Sequence, residues 1–314
     1  MKPLFLQPVF KERIWGGTQL TKEFGYEIPC DQTGECWAIS AHPHGPSTIQ
    51  NGPFAGQTLD TLWREHPELF GHPSEEVFPL LTKILDANMD LSVQVHPDDT
   101  YALVNENGEL GKTECWYIID CKDDAEVIFG HKAQTKEEFN QLVEEGRWSE
   151  LLCRVKIKPG DFFYVPSGTL HALCEGTLVL ETQQSSDTTY RVYDYDRRDD
   201  QGNLRELHLE KALMVTNIPH QSEEKRITVD TKGDATITTF IQSEFFSVFQ
   251  WEVKGCATFH ADEHYLLVSV IKGDGELFHE EVSYPLTKGA HLIIPARMGE
   301  FEIKGQCQLI VSHR

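Results

Sequence analysis

The sequence predicts a mainly β protein in which a larger barrel is followed by a smaller one. Three observations point there: many short apolar runs punctuated by Gly, Pro and Asp, an internal echo late in the chain, and few stretches of helical spacing. The runs are Leu91–Val95, Cys115–Ile119, Glu126–Phe129, Phe162–Val165, Leu178–Thr182, Phe246–Val253, Tyr265–Ile271 and His291–Ile294. Short strands at near-regular spacing close into sandwiches or barrels.

In chain order, helical spacing is expected over Thr58–Phe70 (TLDTLWREHPELF) and Thr135–Leu152 (TKEEFNQLVEEGRWSELL). Thr135 and Glu138 form a capping box for the second. A third short helix is expected near Leu207–Val215, and the polar stretch Thr216–Ala235 reads as a linker. The echo sets KPGDFFYVPSGTLHAL, from Lys158, against TKGAHLIIPARMGEFEI, from Thr287. With Gly160 on Gly289, Pro166 falls on Pro295 and His171 on Glu300. Matching the strand Tyr265–Ile271 to the Glu114 strand through Ile119 on Ile271 puts Leu266 where Glu114 stands. Two domains are therefore expected, 1–235 and 236–314, the second without metal ligands.

Apolar residues are 39% and charged residues 25%, an ordinary globular balance for 314 residues. Twenty-eight Lys and Arg against 50 Asp and Glu leave a net charge of −22. Such a surface repels nucleic acid and anionic membranes. Tyr265–Ile271 is the longest apolar stretch, far short of a membrane span, and Pro3, Gln7 and Pro8 break any signal-peptide core. A cytoplasmic protein is expected. The eight cysteines (30, 36, 115, 121, 153, 174, 256 and 307) form no C-x-x-C and read as free thiols. A bound metal would then need His, carboxylate or amide ligands.

Such groups occur at strand positions. In LSVQVHPDD, Ser92, Gln94 and His96 alternate onto one face of a strand, an inward set that makes poor core. Glu114 opens another strand and His171 follows the Pro166–Gly168 turn. Two imidazoles and a carboxylate on neighbouring strands can surround a divalent ion such as zinc, and Gln94 can complete the shell. Each residue alone has a bland reading, His96 as a hydrogen-bonded core histidine and Glu114 as a solvated strand edge. Lys83 sits in the apolar run PLLTKILDA, where an ammonium is costly unless paired. Lys112, two residues before Glu114, shares its strand face, and a bound cation would lower its pKa. Asp187 and Arg191 follow the His171 strand; four residues apart, they would share a face on a continuous strand. Together the cations could form the basic pocket an anionic substrate requires.

The stretches RIWGG (Arg13–Gly17), GECWAISAHPHGPS (Gly34–Ser47), SVQVHPDD (Ser92–Asp99), KTECWYII (Lys112–Ile119), VPSGTLHAL (Val165–Leu173) and QQSSDTTYRVYD (Gln183–Asp194) resemble the type I mannose-6-phosphate isomerases, in their short bacterial form. That resemblance implies a cupin-type β-barrel (jelly roll) catalytic domain and one zinc ion held by Gln94, His96, Glu114 and His171. It implies Arg191, Lys112 and Asp187 as catalytic, and Ser92, Lys83, Lys112 and Arg191 as residues on a sugar-phosphate substrate. The implied reaction is reversible aldose–ketose isomerisation of mannose 6-phosphate and fructose 6-phosphate through an enediolate. Longer members carry a helical domain this chain has no room for, and Leu173 stands where some carry an aromatic. Rival readings are an iron-dependent cupin oxygenase, which His96, Glu114 and His171 alone would satisfy, and a non-catalytic sugar-binding cupin. Gln94 and the three cations argue against the oxygenase.

Overall fold

The structure, a computed structural model, describes residues 1–198, 201–221 and 226–314. Its described strands form antiparallel sheets of nine, six and five strands. The six-stranded sheet runs Phe162–Val165, Glu114–Cys121, Thr177–Gln184, Leu80–Ala87, Thr33–Ile39, Val9–Gly17. The five-stranded sheet runs Tyr190–Tyr193, Val93–Val95, His171–Leu173, Glu126–His131, Leu152–Lys156. These two make the first barrel.

All eight residues of both Leu80–Ala87 and Thr177–Gln184 are buried, because both faces of these central strands are covered. Their even-numbered residues Leu80, Ile84, Leu178 and Leu180 join a core shared with the second barrel. Odd-numbered Leu85, Ala87 and Val179 pack inside the first barrel with Trp116 and Ile118. On that inner face Lys83 and Glu181 replace apolar side chains.

The nine-stranded sheet builds the second barrel around Ser247–Ala261, Gly299–His313 and Leu266–His279. Its interior is filled with side chains. Trp251 stacks on Phe259 at 4.1 Å, Phe259 on Phe301 at 5.8 Å, and Leu266, Ile294 and Met298 join them. The echo is reproduced in the strand register: Val165 pairs with Glu114 as Ile294 pairs with Leu266. Leu266 thus occupies the place of Glu114, in an apolar core.

The expected division at 235/236 does not follow the strand pairing. Thr228–Lys232 pairs with Ala235–Gln242, and Leu4–Gln7 pairs with His291–Ile294, so both join the second barrel's sheet. An open sheet edge recruits a strand wherever the chain can supply one. Leu4 and Leu6 are accordingly buried. Much of the expected linker is likewise structured: Thr216 is buried and Thr228–Lys232 is a strand, while residues 222–225 lie outside the described residues.

The expected helices are shorter than their apolar patterns. Pro67 divides the first into Leu59–Glu65 and a 3-10 turn, Pro67–Phe70, since it has no N–H to continue the ladder. Thr135 caps Lys136–Glu144 by accepting from Glu138 N at 3.2 Å. The Glu138 carboxylate accepts instead from Gln134 N at 2.7 Å, closing the box one residue early. The third helix spans Leu209–Val215. Gln19–Phe24 and Asp99–Asn105 are helices that the apolar spacing had not marked.

Candidate metal centre and cavity

His96 follows the Val93–Val95 strand, while Glu114 and His171 open their strands at the same end of the barrel. His96 Nε2 lies 3.4 Å from Glu114 Oε2, and His171 Nε2 lies 3.3 Å from Glu114 Oε1. Ligand atoms of the three all fall within 4.8 Å of one another, and each residue is buried. The outer ring nitrogens face carbonyls: His96 Nδ1 donates to Thr188 O at 2.9 Å and His171 Nδ1 to Thr169 O at 2.8 Å. A carbonyl only accepts, so each imidazole carries its proton outside and aims a lone pair inward.

Protonation suits a divalent ion. Burial, then Lys112, lowers His96 to about 3, and burial lowers His171. Burial opposes the Glu114 charge, but Lys112, His96 and His171 outweigh it and hold the carboxyl well below its usual range. Two neutral imidazoles and a carboxylate are the forms in which these groups ligate. Neither Glu114 oxygen makes a well-aligned hydrogen bond, although Lys112 Nζ lies 2.8 Å from Oε2. A buried carboxylate left so is costly without a further cation. The Gln94 carboxamide lies 3.4 Å from His171 Nε2 and can turn its oxygen to the same centre. The donor set therefore fits a metal ion held by nitrogen and oxygen.

A cavity of about 410 Å³ opens beside the cluster. Of the residues expected here, Lys83, Ser92, Gln94, Lys112, Asp187 and Arg191 all line it. Without a bound cation, burial opposes the Lys112 charge, yet Glu114 and Glu181 raise its pKa to about 12. Lys83 Nζ lies 3.6 Å from Glu181 Oε1 and 5.1 Å over the Trp37 ring. Asp187 and Arg191 do not share a continuous strand. The strand starts at Tyr190, and a loop carries Asp187, so tertiary curvature brings the two to one cavity. Arg191 Nη1 donates to Glu206 O at 2.8 Å, and its buried Nε makes no hydrogen bond. Asp194 is held by Arg197 and Arg205, and the Asp187 carboxylate faces His44 Nδ1 at 3.4 Å.

Four charged lining residues escaped the sequence reading: Arg13, Glu35, Glu181 and Arg205. Arg13 Nε donates to Glu35 Oε1 at 2.7 Å and Trp37 Nε1 to Oε2 at 2.6 Å. Burial opposes the Glu35 charge, but Lys83 and Arg13 lower the carboxyl to about 2. Glu181 accepts from Trp116 Nε1 at 3.1 Å; burial, then Glu114, raises its pKa. The signal available was the one that singled out Lys83, a charge on the inner face of an apolar strand, here in TLVLETQQ.

Comparison with known proteins identifies the family. A family model described as "Phosphomannose isomerase type I, catalytic domain" matches residues 4–119, and "Mannose-6-phosphate isomerase, cupin domain" matches residues 236–314. The "Probable mannose-6-phosphate isomerase GmuF" of Bacillus subtilis (strain 168) is 62% identical over 311 residues, 99% of each chain. "Mannose-6-phosphate isomerase ManA" of the same organism is 56% identical over 312 residues, again 99% of each chain. The crystal structure of the mannose 6-phosphate isomerase from Bacillus subtilis superposes with a TM-score of 0.99 at 58% identity, covering 100% of both chains. With such similarity running its full length, the chain belongs to the mannose-6-phosphate isomerase family.

Proposed function

We propose that the protein is a zinc-dependent, cytoplasmic mannose-6-phosphate isomerase interconverting mannose 6-phosphate and fructose 6-phosphate through an enediolate. The observation that carries this reading is a buried two-imidazole, one-carboxylate cluster opening into a cavity rich in cations, in a chain of this family. His96, Glu114, His171 and Gln94 would hold one zinc ion, which when bound supplies Lewis-acid polarisation of a substrate oxygen. We take the first barrel, within residues 1–235, as the catalytic part, and the second barrel, residues 236–314 with the strands Leu4–Gln7 and Thr228–Lys232, as one without metal. Sugar phosphate is the expected partner.

Charge matching orients the substrate. Arg13 is matched by Glu35, Lys83 by Glu181 and Lys112 by Glu114. Arg191, Arg197 and Arg205 gather round the Asp194 carboxylate, with Glu206 the other acid acting on Arg191, leaving a surplus of cations at that end of the cavity. A sugar phosphate carries about two negative charges there to meet it. Arg191 and Arg205 then hold the phosphate, and C1 and C2 reach towards Lys112 and the cluster. Ser92 and Lys83 flank the sugar. Lys112 donates to the developing enediolate oxygen, as charge stabilisation requires. Asp187 is the lining carboxylate with the loosest polar partner, and it moves the proton between C2 and C1.

The test is elemental analysis paired with a coupled fructose 6-phosphate assay on one sample. About one zinc per chain and turnover lost on chelation are expected, with His96→Ala or His171→Ala losing both metal and activity. Full zinc occupancy in both variants would falsify the ligand assignment.

A further inference from the structure

Two adjacent glutamines end the Thr177–Gln184 strand, and neither lines the cavity. Both are buried, Gln183 completely. A buried carboxamide is costly unless its hydrogen bonds are made, so the bonds reveal what each side chain supports. Neighbouring strand residues point to opposite faces, so the two reach different segments.

Gln183 Nε2 donates to Gln184 O at 2.8 Å and to Ser186 O at 2.6 Å, bracing the loop that leaves its own strand, while its buried Oε1 accepts no hydrogen bond. That loop carries Asp187 into the cavity and offers the Thr188 carbonyl to His96 Nδ1. Gln184 works on the other side. Its Oε1 accepts from Thr113 N at 2.9 Å, and its Nε2 donates to Asp99 Oδ1 at 3.0 Å. The same Asp99 oxygen accepts from Gly111 N at 2.7 Å. Residues 111–113 are thereby fixed at both ends. This segment carries Lys112 and leads straight into Glu114.

We propose that Gln183 and Gln184 are paired positioning residues, Gln183 setting the Asp187–Thr188 loop and Gln184 setting the Lys112–Glu114 segment. The proposal rests on the isomerase reading of Asp187, Lys112 and the metal cluster. It accounts for two large amides placed where apolar side chains would pack without any bonding requirement.

The test uses the near-isosteric variants Gln183→Met and Gln184→Met, with Asp99→Ala as a surface variant that frees Gln184 without disturbing the core. For each, kcat, KM, Tm and the zinc dissociation constant by chelator competition are measured well below Tm. Gln183→Met should weaken zinc about tenfold, since His96 loses its fixed carbonyl acceptor. Gln184→Met should lower kcat at saturating zinc tenfold or more with KM within about twofold. Asp99→Ala should move kcat the same way with little change in Tm. Lowered Tm with wild-type kcat and zinc affinity would show a purely structural role and overturn the proposal. If Lys112→Met and Asp187→Asn are harmless, the isomerase-site reading itself has failed; if they cripple turnover while the glutamine variants do not, only the positioning inference has.

Discussion

At Arg191 a guanidinium borders the cavity with one buried nitrogen making no hydrogen bond, while its neighbours Arg197 and Arg205 share Asp194. If it meets the phosphate, Arg191→Ala should leave zinc content unchanged and raise KM for the sugar phosphate about a hundredfold. Two charge-assisted hydrogen bonds are worth roughly that in affinity. Steady-state kinetics beside elemental analysis checks it; a fall in kcat at unchanged KM would instead assign the arginine to the transition state. His291 makes a different residue-scale prediction. It is fully buried, with Nε2 2.8 Å from Tyr26 Oη and Nδ1 2.9 Å from Ser269 Oγ, and burial lowers it to about 3. The native state keeps this ring neutral, whereas the unfolded chain protonates it below its ordinary pKa near 6.5. Its contribution is therefore complete above pH 6.5 and is lost as pH falls towards 3, at about 1.4 kcal/mol per unit. At pH 5 that is about 2 kcal/mol. His291→Gln should narrow the Tm difference between pH 7 and pH 5 in thermal melts.

Among the elements, the Pro166–Thr169 turn has the widest reach. Ser167 N donates to Thr113 Oγ1 at 3.3 Å, Gly168 N to His96 O at 2.9 Å, and Thr169 O accepts from His171 Nδ1 at 2.8 Å. One turn thus touches all three segments that deliver the cluster. Gly168 has φ of 81°, and a Cβ there would lie 2.5 Å from Asn217 Nδ2, so both backbone and space call for glycine. Gly168→Ala should destabilise by about 1–2 kcal/mol. It should also shed zinc to a chelator faster than wild type, and equal retention of zinc would separate the turn from the metal. This turn is visible in the sequence as VPSGTLHAL, because a Pro–Gly turn between apolar runs is a local signal. Helices Gln19–Phe24 and Asp99–Asn105 were not visible, being too short at six and seven residues to show a period.

Across the whole molecule, the two barrels share one core. Leu80, Ile84, Leu178 and Leu180 of the first share it with Leu267, Ile293 and Ile310 of the second, and Leu4 and Leu6 belong to the same cluster. Tyr265 packs against Trp63 at 6.0 Å and Phe70 at 5.4 Å. A residue 236–314 fragment would lose the Leu4–Gln7 strand that pairs with His291–Ile294 and expose this face. Expressed alone, it should show no cooperative melt by circular dichroism, while the full chain melts in one transition. Metal stoichiometry belongs to the same scale. With Leu266 in the place of Glu114 and an interior filled by Trp251, Phe259 and Phe301, reconstitution after chelation should stop at about one zinc per chain. Two per chain would overturn the assignment of a single site.

The sequence by itself determined the barrel class, the echo between the two barrels and the candidate ligands His96, Glu114, His171 and Gln94. These rest on local patterns: strand alternation, turn residues, and polar groups on inward positions. It also marked Lys83 and Lys112, because an ammonium in an apolar strand or beside a buried carboxylate is conspicuous within a few residues. Only the tertiary structure decided which charges cancel. Arg13 meets Glu35 across 22 positions, Lys83 meets Glu181 across a strand pair, and Arg205 meets Asp194 through a returning loop. It also decided that the first residues complete the last barrel, since Leu4–Gln7 pairs with His291–Ile294. Sheet edges and buried charges are satisfied by whatever the fold brings near, and that proximity is not written in the spacing of any one segment.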